Sequence, residues 1–206
     1  MDSKINQIFE LIKNNDLIKA KDICLEALIK DDKNSEIFNV FGIVLFQLKE
    51  YEKAIQTWEK AAHLNPNYFH VYSNMGNALS ILKRYDEAIE KYNKAIKIRP
   101  NAFDLLEKKA ILLKELKKFD EAIIEWNNIL SNSPDNTNAY IEKAHILFDR
   151  YKLDEALSNY HKAFEMNSQH PFLLGHILHT KLKMCDWKDF EKDLAEIKRS
   201  ININHK

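Results

Sequence analysis

Three histidines, His145, His176 and His179, bear the side chains best suited to chemistry in this chain of 206 residues. His145 and His179 stand 34 residues apart, and His176 and His179 three apart, so on helices three imidazoles could face one space. A transition metal accepts such a trio. The His-x2-His spacing, however, is shorter than the i, i+4 arrangement of familiar helical zinc sites, and no carboxylate is clearly placed as a fourth ligand. The trio is therefore read as solvated or partner-contacting, with no metal and no cofactor expected. His63, His70, His161 and His170 lie near segment ends and suggest no site. The sequence holds no glycine-rich phosphate loop, nucleophile elbow or paired-cysteine motif, and Cys24 reads as a small buried hydrophobe rather than a nucleophile. The chain is expected not to be an enzyme.

The elements that would position these side chains repeat every 34 residues. The best-formed copy runs from Phe69 to Ala102 and sets Tyr72, Met75, Gly76, Leu79, Ala88, Tyr92, Ala95 and Pro100 in order. One copy earlier stand Phe38, Phe41, Gly42, Leu45, Ala54, Trp58, Ala61 and Pro66; one copy later stand Leu106, Ala110, Leu113, Ala122, Trp126 and Pro134. A further copy reads Tyr140, Ala144, Leu147, Ala156, Tyr160 and Ala163, with Ser168 in the proline column. The first keeps Leu11, Ala20, Cys24 and Ala27, with Ile8 for glycine and Asp32 for proline. This order and spacing resembles the tetratricopeptide repeat (TPR) pattern.

The resemblance implies an all-α fold, a right-handed α-solenoid of TPR helical hairpins whose first helices line a concave groove. Five repeats are expected over 1–34, 35–68, 69–102, 103–136 and 137–170, then an atypical capping hairpin over 171–200 and a frayed tail over 201–206. Helices are expected at 35–48 with 51–64, 69–82 with 85–98, 103–116 with 119–130, and 138–150 with 153–166, Ser35 serving as an N-cap. Small residues at Gly42, Gly76, Ala110 and Ala144, and at Ala54, Ala88, Ala122 and Ala156, would let paired helices cross closely. The aromatics Trp58, Tyr92, Trp126 and Tyr160 then read as core.

Totals narrow the partners. With 31 basic and 31 acidic side chains the formal charge is zero, so no net field draws the chain to nucleic acid. No run approaches the roughly 18 apolar residues of a membrane helix, and residues 1–7 lack the pattern of a secretory signal. Cys24 and Cys185 are expected as reduced thiols in a cytoplasmic protein.

The groove columns of the family give the candidate site: Phe9, Asn39, Ile43, Phe46, Asn74, Asn77, Lys108, Ile111, Glu142, His145, Phe148, His176 and His179. Ile43, Phe46, Ile111 and Phe148 would leave apolar surface on a concave wall, the mark of a peptide or helix partner. Of the chaperone-tail carboxylate clamp of some TPR proteins, Asn74 and Lys108 match while Asn39, Ile43 and Asp104 hold other required columns, so no tight chaperone-tail binding is expected. A second resemblance lies in Cys185-Asp186-Trp187-Lys188-Asp189-Phe190, similar to the end of the TPR array in O-linked N-acetylglucosamine transferase and SPINDLY-like proteins. Two functions from different classes follow. One is a non-catalytic protein–protein interaction scaffold holding a partner peptide or helix; the other is the substrate-recruiting TPR region of such a glycosyltransferase. Self-association through end hairpins is a further expectation.

Overall fold

A computed structural model describes residues 2–167, 170 and 172–203; Ser168, Pro171 and the tail residues 204–206 named above lie outside the described residues. Among the described residues there are twelve helices and no strand, as the all-α expectation requires. They are α1 (Asp2–Lys13), α2 (Leu17–Lys30), α3 (Ser35–Gln47), α4 (Tyr51–Leu64), α5 (Phe69–Ile81), α6 (Tyr85–Ile98), α7 (Phe103–Glu115), α8 (Phe119–Asn132), α9 (Thr137–Asp149), α10 (Leu153–Met166), α11 (Leu173–Lys183) and α12 (Phe190–Ile203). Helix α12 runs three residues into the stretch expected to fray, and α8 two residues past its expected end. The chain forms two compact units, Met1–Leu105 and Leu106–Lys206.

A single turn recurs inside every hairpin. Asn15, Lys49, Lys83, Lys117, Tyr151 and Cys185 each take a left-handed φ between 57° and 62°, and each stands 34 residues after the last. The residue after each closes the helix from the far side: Asp16 N donates to Leu11 O, Glu50 N to Leu45 O, Arg84 N to Leu79 O, Lys118 N to Leu113 O, Lys152 N to Leu147 O, and Asp186 N to Lys181 O. This is a Schellman closure, in which glycine usually takes the left-handed residue; here no glycine does. Between hairpins, Asn65, Arg99 and Ser133 cap their helices in extended or near-extended backbone, with Pro66, Pro100 and Pro134 next. A residue before proline is pushed out of the helical region, so the helix stops there.

Asn34, not Ser35, is the N-cap of α3: its side chain accepts from the backbone N–H of Glu36 and Ile37. Ser35 is the first helical residue. Asn136 caps α9 in the same way through Ala139 N.

The small columns work as expected. A Cβ built on Gly42 would lie 2.3 Å from Trp58 Nε1, and one on Gly76 would lie 2.4 Å from Tyr92 Cε1. The aromatic of each second helix thus lies against the bare backbone of the first. In the first unit Ile8, Ala20, Cys24, Val40 and Val44 form a buried cluster joining two hairpins. In the second, Ala144, Leu147, Ala156 and Tyr160 cluster with Leu173 and Ile177 of α11, so the sixth hairpin packs on the fifth through a continuous core.

Candidate interaction faces of the first helices

In the second unit, α9, α10 and α11 bring His145, Tyr160 and His176 together. The rings of His145 and His176 meet edge to face with centroids 4.8 Å apart, and Tyr160 stacks on His176 at 5.5 Å and 9°. His179 stands apart from this pair, exposed, with its ring 5.0 Å from Phe148. The three imidazoles therefore divide between two aromatic contacts. Among the described residues no three His, Cys, Asp or Glu side chains are grouped to hold one metal ion.

Glu142 anchors the polar side of this face. Lys114 Nζ lies 2.8 Å from its Oε2 and His145 Nδ1 3.8 Å from its Oε1. The imidazole of His145 and the ammonium of Lys114 hold its carboxyl at about 2, against the upward push of partial burial. Burial, with the neighbouring His145, His179 and His170, pushes His176 below the ordinary imidazole value. Burial likewise raises the Tyr160 phenol, helped by the charges of Asp149 and Glu142. His145 Nε2 is buried with no hydrogen-bond partner among the described residues. Glu107 accepts from Asn136 Nδ2 at 3.2 Å, Lys108 is partly buried, and Ile111 is 41% exposed.

In the first unit the candidate residues part into two groups. Phe9 is exposed, and Ile43 and Asn74 are half-buried. Asn39, Phe46 and Asn77, by contrast, are engaged in the fold itself. Asn39 is buried, its carbonyl accepts from Trp58 Nε1 at 3.1 Å, and its amide reaches Tyr68 Oη at 3.2 Å. Phe46 packs on Tyr51 and Trp58 at 5.3 and 6.0 Å, and Asn77 Oδ1 accepts from Tyr92 Oη at 3.0 Å. The column pattern missed Tyr68 and Tyr160 as neighbours of candidate residues. Tyr160 was legible only as core, and Tyr68 precedes its helix, where no periodicity marks it.

Neither face has the parts of a catalytic centre. Both offer mixed apolar, amide and ionisable side chains along first helices. Among the described residues no helix is long and apolar enough to cross a membrane.

Comparison with known proteins agrees with this architecture. A tetratricopeptide repeat family model matches residues 70–102, and a TPR repeat model matches residues 42–83. No curated protein sequence matches the chain. Among solved structures, the chain is similar to YrrB, "a TPR protein with an unusual peptide-binding site", with 21% identity, a TM-score of 0.70 and coverage of 87% of this chain and 91% of that one. It is also similar to a tetratricopeptide repeat protein from Parabacteroides merdae, with 15% identity, a TM-score of 0.78 and coverage of 98% and 78% respectively. MamA from Desulfovibrio magneticus is a third, with 18% identity, a TM-score of 0.72 and coverage of 84% and 96%. Hairpin geometry, the 34-residue turn and the two matched models together identify this as a chain of tetratricopeptide repeats.

Proposed function

We propose that the chain is a non-catalytic interaction scaffold whose first helices hold a peptide or helix of a protein partner. The observation that carries this reading is the α7–α9–α11 face, where exposed Ile111 shares a surface with Lys108, the Lys114–Glu142 pair, Phe148 and the histidines. Apolar side chains rimmed by hydrogen-bonding groups suit a partner that brings both a hydrophobic anchor and polar backbone. Phe9, Ile43 and Asn74 offer a comparable, smaller surface in the first unit. That YrrB carries a peptide-binding site supports the reading by fold analogy.

The glycosyltransferase reading gains no support from the turn that suggested it. Cys185 takes the same left-handed position as Asn15 through Tyr151, so Cys185-Asp186-Trp187 is the hairpin turn common to the whole chain.

Peptide display against the immobilised protein tests the proposal, with Phe9→Glu and Ile111→Glu as comparators. Both residues are exposed, so the variants should keep their helical signal. Selected peptides should lose at least about tenfold in affinity for one of the variants. Peptides that bind both variants as well as the wild type would overturn it.

A further inference from the structure

The outward face of α2 departs from its counterparts. Ile18, Leu25 and Ile29 are 63, 43 and 85% exposed, and their spacing places them within roughly 40° of one line along the helix. In α4 the same columns hold Glu52, Glu59 and His63, and in α6 they hold Asp86, Asn93 and Lys97. In α8 and α10 they hold Asp120, Asn127 and Ser131, then Asp154, His161 and Glu165. Four copies meet water with polar side chains where the first presents three aliphatic ones. An aligned apolar stripe of this kind marks a surface that another molecule covers.

Beside the stripe runs a trough. Lys21, roughly 60° round α2 from the stripe, lines a cleft of about 300 Å³ with Phe41, Leu45, Lys53, Thr57 and Lys60. Gln56 and Lys60 also line an adjoining cleft of about 600 Å³ that continues past Phe38 to Leu64. The two form one depression following α4 from Lys53 to Leu64, roughly 17 Å or three helical turns. Its floor carries the half-buried rings of Phe38 and Phe41.

Charge says what fits. The lining of the narrower cleft includes three lysines and no carboxylate. Lys21 and Lys53 converge on the single carboxylate of Glu50, at 2.8 and 2.6 Å, leaving an excess of positive charge at that end. Asp32 and Glu59 appear only at the wider end.

We propose that this trough, with the aliphatic stripe of α2 along one side, docks an acidic amphipathic helix of a protein partner about three turns long. Its apolar face covers Phe38, Phe41 and the α2 stripe, and its carboxylates meet Lys21, Lys53 and Lys60. A second copy of this chain fits less well, because antiparallel pairing of α2 with itself sets like flanks together, lysine towards lysine. The surface is separate from the first-helix faces proposed above.

Fluorescence anisotropy tests the proposal with a synthetic amphipathic helix of roughly four turns, leucine on one face and glutamate on the other, against its lysine-for-glutamate counterpart. The glutamate helix should bind about tenfold tighter or better at low salt, and Ile29→Glu and Lys60→Glu should each remove that advantage. Ile111→Glu should leave it unchanged. Equal binding of the two helices, no binding of either, or full binding by Ile29→Glu would overturn the proposal. So would a concentration-dependent dimer in sedimentation that Ile29→Glu abolishes and the glutamate helix does not displace.

Discussion

The indole of Trp58 occupies the space where a side chain on Gly42 would begin, with Nε1 2.3 Å from the position of the missing Cβ. Trp58 is 1% exposed and donates to Asn39 O one turn from that glycine, so the ring is held from two directions and has little room to retreat.

Gly42→Ala should therefore destabilise the first unit by about 1–3 kcal/mol, despite the usual preference of helices for alanine. Gly76→Ala should behave alike, since its Cβ would meet Tyr92 at 2.4 Å. Gly175→Ala is the control: nothing lies within 4 Å of its Cβ position, and the substitution should stabilise α11 slightly. Urea denaturation of the three variants distinguishes steric conflict from helix propensity.

The left-handed lysines invite the opposite experiment. Lys83 at φ 59° and Lys117 at φ 58° hold a conformation in which a Cβ is unfavourable. Replacing either with glycine should stabilise the protein by about 0.5–1 kcal/mol, less than the full strain because the unfolded chain gains freedom. The two gains should add, since the sites lie in different hairpins. Thermal melting of single and double variants checks both statements.

Two equivalent tryptophans differ in one hydrogen bond. Trp58 Nε1 donates to Asn39 O at 3.1 Å, whereas buried Trp126 Nε1 has no partner among the described residues. Truncation to phenylalanine loses a satisfied bond at Trp58 but relieves an orphaned donor at Trp126. Trp58→Phe should thus cost more than Trp126→Phe by about 1–2 kcal/mol, measured as the difference in unfolding free energy.

Acid should loosen the packing of α11 on α9 and α10. Burial and the nearby His145, His179 and His170 depress His176 below its ordinary 6.5. Also facing this cluster are Glu142 of α9, held down by His145 and Lys114, and Tyr160 of α10. The unfolded chain takes up the His176 proton first, so its contribution is complete above pH 6.5 and lost as pH falls through the depressed folded value. Glu142 adds a later loss, between its ordinary 4.5 and about 2. His176→Phe keeps a ring stacked on Tyr160 and should flatten the stability profile between pH 7.5 and 5.5. Ring titration by NMR, with a His176 value at or above the ordinary one, would refute this account.

Much of the fold was legible because period and small residues carry it. Gly42, Gly76, Ala110 and Ala144 announced the helix crossings before any coordinate, and the aromatics opposite them announced the core. The left-handed turns did not announce themselves: lysine, asparagine, tyrosine and cysteine share that position, and without glycine no residue type flags it. The cap at Asn34 was missed because Asn34 and Ser35 are adjacent and equally able to cap, and only the hydrogen bonds to Glu36 and Ile37 separate them. On the first-helix faces, column position located the side chains but not their company. Asn39 and Phe46 occupy groove columns and yet face Trp58 and Tyr68, because the second helix of the same hairpin and the turn after it reach across. Periodicity along one helix cannot reveal what a neighbouring element brings to it.

The two thiols sit in opposite circumstances. Cys24 is fully enclosed in the first unit, where burial pushes its thiol up to about 12, while Cys185 is exposed at a turn of the second. A maleimide or iodoacetamide should therefore modify Cys185 at once and reach Cys24 only when the first hairpin opens. The rate of that second alkylation becomes a built-in clock for the breathing of α1 and α2, readable by mass spectrometry without adding any label of one's own.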